Sequence, residues 1–482
     1  MNQLVENTSF VKSYLKKNKD LFEEISKFIW QHPETRFEEH ESANYLSNTL
    51  EQEGFHVKRN VAGINTAFVG TFGEGAPFIG FLGEFDALSG LSQTANLTEY
   101  KPMEVGGNGH GCGHNLLGTG ALSAAFAVKA FLEDNHLPGT VQFFGCPGEE
   151  GGSGKTFMAR EGVFDHLDIA LTWHPSPSNS IMSLSTLANY QIYFRFKGIS
   201  SHAANSPHLG RSALDAVELM NVGVNYLREH IIPEARIHYA VTNTGGVSPN
   251  VVQADAEVLY LIRAPKVNQV EEIYKRVCKI AEGAAMMTET KLTIDFDKAC
   301  SNYIPNRALE QILHEKLVEA GPGEASVADK AFAKKIWHSL TEGERRNSLD
   351  LLKGFGYSGD GSEFEGQFLN ESISPYVPSN EINAGSTDVG DVSWIVPTAQ
   401  CSAATSALGT ALHSWQMTTQ GITPFAHSGM LRAGEAMALT AIHILEHPDA
   451  LALIKDEHDK MITKNPYVCP IPHSVKPSVL KK

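Results

Sequence analysis

The chain has 482 residues, with 55 acidic against 39 basic side chains and a net charge of −16. That length exceeds one ordinary hydrophobic core, so two or more domains are expected. Apolar residues at 42% and charged residues at 20% fit a globular protein and exclude a disordered one. Basic residues form only short pairs such as Lys16 with Lys17. A nucleic-acid or anionic-membrane surface needs clustered Lys and Arg, so neither partner is expected. No stretch of 18 apolar residues occurs, and the first residues carry no apolar leader, so a cytoplasmic location is the expectation. Six cysteines without a Cys-x-x-Cys pair are too sparse for a disulfide framework.

In chain order, Leu21, Ile25, Phe28 and Ile29 recur at helical spacing and predict a helix over 20–31. A second helix is predicted over 35–53. The period then changes. Residues 66–72 and 77–82 are short, aromatic and bounded by Gly and Pro, so they read as strands. A small-residue helix is expected over 115–132, then strands over 140–146 and 167–173. Such alternation predicts an α/β layer with a mostly parallel sheet. From residue 189 the pattern shifts: Ile192, Phe194 and Phe196 alternate with Tyr193, Arg195 and Lys197, a strand with one wet face. A helix over 212–230, strands over 237–243 and 256–263, a helix over 270–284 and a strand over 291–296 follow. The order β-α-β-β-α-β predicts a ferredoxin-like α+β insertion over 189–304, between catalytic segments 1–188 and 305–482. Helices are expected over 308–319 and 429–446. The Gly-, Ser- and Pro-rich stretch 353–378 reads as a long loop, functional or mobile.

Three polar clusters flank the predicted strands of the first segment, where α/β sheets bind ligands. The first is Gly109-His-Gly-Cys-Gly-His114. Cys112 and His114 are two apart, and in an extended segment they face one side, as a soft and a borderline ligand for a transition metal. The second is Gly148-Glu-Glu-Gly-Gly152. Glu149 and Glu150 at a strand end would point to opposite sides, one to ligate a metal and the other to serve as general base. The third is Trp173-His-Pro175. A Cys112 nucleophile with His114 as base is disfavoured, since catalytic Cys and His partners are normally distant in sequence.

These clusters, with Trp30-x-His-Pro-Glu-Thr-Arg-Phe-Glu-Glu39, His202-Ala-Ala-Asn-Ser-Pro-His-Leu-Gly-Arg-Ser212 and Ser386-Thr-Asp-Val-Gly-Asp-Val-Ser-Trp394, resemble a known family along nearly the whole chain. It is the dinuclear-metal amidohydrolase and carboxypeptidase family of aminoacylases, carboxypeptidase G-type enzymes and plant auxin-conjugate hydrolases. The resemblance implies two divalent metal ions per subunit, Mn²⁺ or Zn²⁺, held by Cys112, His114, Glu150, His174 and His413. It implies Glu149 as general base, and His202 as a histidine reaching into a partner subunit's site to polarise the scissile carbonyl. Asn250 and Arg263 match positions that hold the substrate's carboxylate. His208 is a weaker candidate for that pocket, or a plain loop histidine. The auxin-conjugate branch usually reads Cys-Gly-His-Asp-x-His, whereas Asn115 and Leu117 stand in its last two places here. Asp86 matches an Asp that orients a ligand histidine or the reacting water, with a turn cap as the alternative. Asp388 and Asp391 carry the same alternatives and lean toward turn structure.

The resemblance further implies a small-molecule N-acyl amino acid substrate. Its expected form is p-aminobenzoyl-glutamate, a folate breakdown product, cleaved to p-aminobenzoate and glutamate. Other N-acyl amino acids or dipeptides are the alternative, as is a regulatory role within a hetero-oligomer. The insertion would be a dimerisation or lid domain, in a homodimer or with a homologous subunit.

Overall fold

A computed structural model describes residues 2–479. Its larger sheet has seven strands in the spatial order His56–Arg59, Phe68–Glu74, Gly139–Cys146, Phe78–Glu84, Ile169–Ser176, Thr398–Ala404 and Ser180–Ile181. The central four run parallel, and the pairs at both flanks are antiparallel. This is the expected mostly parallel layer.

The helix His114–Asn135 crosses one face of this sheet beside Pro424–Glu446. Its small residues set how closely it lies. A Cβ on Gly118 would overlap the Glu84 carbonyl, and one on Gly120 would overlap the Trp173 indole. Trp173 Nε1 donates to the Leu117 carbonyl at 2.9 Å. The sheet end bearing Glu84 therefore meets the helix start bearing His114. This helix is long and apolar enough to cross a membrane, yet 89% of its most apolar window is buried inside the fold, so it is also the core helix of the sheet.

The smaller sheet is antiparallel, ordered Lys291–Cys300, Ala188–Lys197, Asp255–Ala264 and Arg236–Asn243. With the helices Ala213–Leu227 and Val267–Thr288 it follows the β-α-β-β-α-β order. Phe194 pairs with Val258 and Ile192 with Tyr260, all fully buried. On the other face Tyr193 is buried rather than wet, with the Arg195 guanidinium 5.1 Å from its ring centre. Arg195 in turn bridges Glu257 and Asp295.

Some elements differ from expectation. The predicted helix over 35–53 begins only at His40. Phe37 takes a left-handed φ of 62°, and Arg36 and Glu39 are drawn into distant buried contacts, so helix propensity loses to tertiary packing. The central strand Thr398–Ala404, fully buried, carries few β-branched residues and so lacks the pattern that announces a strand. The helices Val327–Ser339 and Pro448–Ile462 are also additions to the expected elements. The stretch 353–378 opens on the end of the helix Ser348–Gly354 and is then irregular apart from one short turn at Ser362–Phe364, and its Phe355 ring lies 5.8 Å from the His174 imidazole.

Candidate active site

Each strand of the parallel core delivers one part of a cluster at the same end of the sheet. Phe78–Glu84 ends in Glu84, with Asp86 two residues beyond. Gly139–Cys146 leads into the turn holding Glu149 and Glu150. His174 sits within Ile169–Ser176 rather than after it. His413 stands just before the helix Trp415–Gln420, at a left-handed φ of 60°, its N–H donating to the Gly111 carbonyl at 2.7 Å. A non-glycine residue held there costs conformational energy, which fits a position fixed for function.

Cys112 and His114 do converge, but not from an extended segment. Gly113 between them is left-handed at φ 76° and opens the helix His114–Asn135, so the two side chains meet across a helix start. A side chain at Gly113 would press on Met417 and Pro175. Likewise Glu149 and Glu150 stand in a turn, not at a strand end, and both carboxylates lie near the His114 imidazole.

Cys112 Sγ lies 3.6 Å from His174 Nε2. His413 Nε2 lies 3.2 Å from Glu150 Oε2, and His114 Nε2 lies 3.9 Å from Glu150 Oε1. Three triads place one ligand atom per residue within 4.8 Å of one another: Cys112, His114 and His174; Cys112, Glu150 and His413; Glu84, His114 and Glu149. For Asp86 the geometry favours the orienting role over the turn cap. Its Oδ1 is 2.9 Å from His114 Nδ1 and its Oδ2 accepts from the Glu150 N–H at 2.9 Å, so it holds two members of the cluster. Asn115 instead ties the helix start to Ser26 and the Gly421 carbonyl, at 3.0 and 2.9 Å. Its departure from the branch pattern leaves His114 supported through Asp86.

The electrostatics follow from burial. Burial pushes the Glu149 carboxyl well above its usual range, and Glu84, Asp388 and Glu150 add to the shift. Burial alone would also raise Glu150, but the His413 hydrogen bond and the His114 charge hold it down to about 2. Burial lowers His174 to about 4, and the His114 charge acts the same way. Burial acts against the His114 cation too, yet Cys112 and Asp86 outweigh it and raise the imidazole well above its usual range. Burial pushes the Cys112 thiol well above its usual range, and the Glu150 charge adds to the shift. Inside the cluster His114 Nε2 and Glu150 Oε1 are buried and make no hydrogen bond among the described residues. Orphaned atoms of this kind, aimed into a thiol, imidazole and carboxylate set, fit a divalent cation such as Zn²⁺.

Glu84 and Lys155 belong to the site although the sequence does not single them out. Lys155 Nζ, fully buried, contacts Glu84 at 2.8 Å and Asp388 at 2.5 Å, and Glu84 lies 3.3 Å from His114 Nε2. A lysine six residues beyond Glu149 gives no signal of burial. The lean of Asp388 and Asp391 toward turn structure is corrected here. Asp388 stands at a helix start without a side-chain capping bond and balances Lys155 instead. Asp391 accepts from Thr156, Ser301 and Tyr467, and burial raises it to about 6.

The residues expected from the smaller domain lie elsewhere in the chain's own contacts. His202 is exposed, and its Nδ1 accepts from the N–H groups of Ala204 and Asn205 at 3.2 and 3.1 Å. Asn250 is exposed beside it, its carbonyl accepting from Ala203. His208 is exposed in the short turn Pro207–Leu209. Arg263 is half-buried, burial lowers its pKa, and its Nη1 donates to the Ala384 carbonyl at 3.5 Å.

Comparisons with known proteins bear on the family and the fold. The model of peptidase family M20/M25/M40 matches residues 80–366. One of the subunits of the p-aminobenzoyl-glutamate hydrolase of Escherichia coli K12 is 53% identical, over 98% of this chain and 99% of its own. The Xaa-Arg dipeptidase of Mus musculus is 28% identical over 90% of this chain and 88% of its own. Two crystal structures share the fold at 16% identity. The aminobenzoyl-glutamate utilization protein of Klebsiella pneumoniae has a TM-score of 0.60, covering 90% of this chain and 98% of its own. A dinuclear metal-binding peptidase of the M20 family from Bacillus subtilis has a TM-score of 0.51, covering 91% and 99%. The chain therefore belongs to peptidase family M20/M25/M40 and is a metal-dependent hydrolase of amide bonds.

Proposed function

We propose that the protein hydrolyses the amide bond of p-aminobenzoyl-glutamate, releasing p-aminobenzoate and glutamate. The observation that carries the chemistry is the meeting of Cys112, His114, Glu150, His174 and His413 around two orphaned buried atoms. The substrate is supported by 53% identity to a hydrolase named for it. Those five residues would hold two divalent cations, Mn²⁺ or Zn²⁺. When bound, such cations polarise the scissile carbonyl and acidify a water. Glu149 acts as the carboxylate: it takes the proton of the attacking water and returns it to the leaving amine, and the burial that raises its pKa makes it a stronger base than an exposed carboxylate. Arg263 faces the substrate carboxylate, helped by Asn250. His202 of a second copy donates to the developing oxyanion, a role that its exposed position in this chain suits.

The partner is a second copy or a homologous chain. The relatives include chains named for two different subunits of p-aminobenzoyl-glutamate hydrolase, which supports an assembly of related chains. The test is purification with Mn²⁺ or Zn²⁺, metal analysis, and an assay of glutamate release. Absence of release, from this chain alone or with a related partner chain, sinks the substrate. The dipeptidase relative favours one second reading, cleavage of dipeptides. Ranking kcat/KM over N-acyl amino acids and dipeptides separates the two.

A further inference from the structure

The segment around Arg36, which precedes every metal-ligand candidate in sequence, forms a mould for the turn carrying Glu149 and Glu150. Glu39 Oε1 accepts from the Gly148 N–H at 2.9 Å. The Phe37 ring fills the space that side chains at Gly148 and Gly152 would take, and Phe37 itself is held at φ 62°. A bulky residue in the left-handed region is strained and persists only where its surroundings demand it. Arg36 is 2% exposed. Its Nη1 donates to the Gly151 carbonyl, one residue past Glu150. The same guanidinium grips Asp297 with two bonds of 3.0 and 3.1 Å. Asp297 lies on Lys291–Cys300, the last strand of the smaller domain, and accepts a further bond from Gln191 Nε2 at 2.7 Å. A buried two-pronged ion pair therefore joins the turn of the larger domain to the sheet of the smaller one.

We propose that Arg36 is a positioning residue for Glu149 and Glu150, anchoring their turn to the smaller domain through Asp297. The proposal rests on the reading of Glu150 as a cation ligand. Arg36 is outside the candidate ligand groups, so its effect would pass through the Gly151 carbonyl. The test measures Zn²⁺ affinity by chelator competition, alongside thermal unfolding of the cation-free protein, for R36M, R36K, D297N and R36M/D297L. R36M is expected to raise the Zn²⁺ Kd about tenfold or more, the usual scale for losing a residue that orients a ligand. R36K, which keeps the charge and a donor, recovers part of that loss. R36M/D297L leaves no buried charge unpaired, so its cation-free Tm returns toward wild type while its Kd stays weakened. A wild-type Kd in R36M/D297L overturns the proposal, whatever its Tm, because a purely structural pair would move Tm alone. Should the double variant not fold, D297N decides by the same criterion. No substrate enters the measurement. A wild-type protein that binds Zn²⁺ yet cleaves no amide would defeat the proposed reaction and leave this comparison standing.

Discussion

The cluster around His114 and the loop around His202 are both read as catalytic, yet they are built in opposite ways. His114 is fully buried, braced by Asp86, and set by a helix packed on a parallel sheet. His202 is exposed, and its ring hydrogen-bonds to N–H groups two and three residues further on. The first group is complete inside one chain. The second presents a histidine outward, as suits a residue that serves another molecule. Under the proposed reaction, cation binding and proton transfer would fall to the first region, and stabilising the substrate's oxyanion to the second.

The sharpest way to break this division is Glu149→Gln. It is expected to lower kcat by about 10²–10⁴-fold with cation content unchanged. Full activity would remove Glu149 from its role. His202→Ala should cost about 10²–10³-fold in kcat, again with normal cation content. Mixing the E149Q and H202A proteins then tests service between copies. A mixed dimer holds one site with both groups intact, so activity should return, and failure to recover would confine His202 to its own chain. Asp86→Asn should weaken cation affinity about 10–100-fold by loosening His114 and Glu150 together. Substitutions in the His202 loop should leave cation affinity alone.

The mildest effect is one of pH. As a ligand Cys112 would bind a cation through its thiolate, and burial raises that thiol's pKa well above its usual range. Binding must therefore displace a proton, and affinity should rise with pH by about tenfold per unit for each proton released. A pH-independent Kd, measured by chelator competition between about pH 6 and 8, would take Cys112 out of the ligand set.

Much of the first region is legible in the sequence because strand ends, glycines and ligand residues coincide there. Cys112, His114, Glu149, Glu150 and His174 each sit next to a predicted strand or helix. His413 is reached only through family resemblance, since the strand before it, Thr398–Ala404, lacks the branched residues that announce strands. Lys155, Glu84 and Arg36 are hidden for another reason. Charged residues are ordinarily solvated, and their burial depends on partners far along the chain, as Lys155 depends on Asp388. The start of the helix at His40 is lost to the same long-range pull on Arg36 and Glu39.

The seam in the larger sheet has a consequence for how the protein is made. Thr398–Ala404 lies between Ile169–Ser176 and Ser180–Ile181, pairing with both. A growing polypeptide leaving the ribosome has finished every strand of the smaller domain, which ends at Cys300, before residue 398 exists. Until then Ile169–Ser176, apolar and unpaired along one side, is an open template for other chains. Chains cut short before that point should clump rather than fold, and they also lack the last metal-ligand candidate, His413.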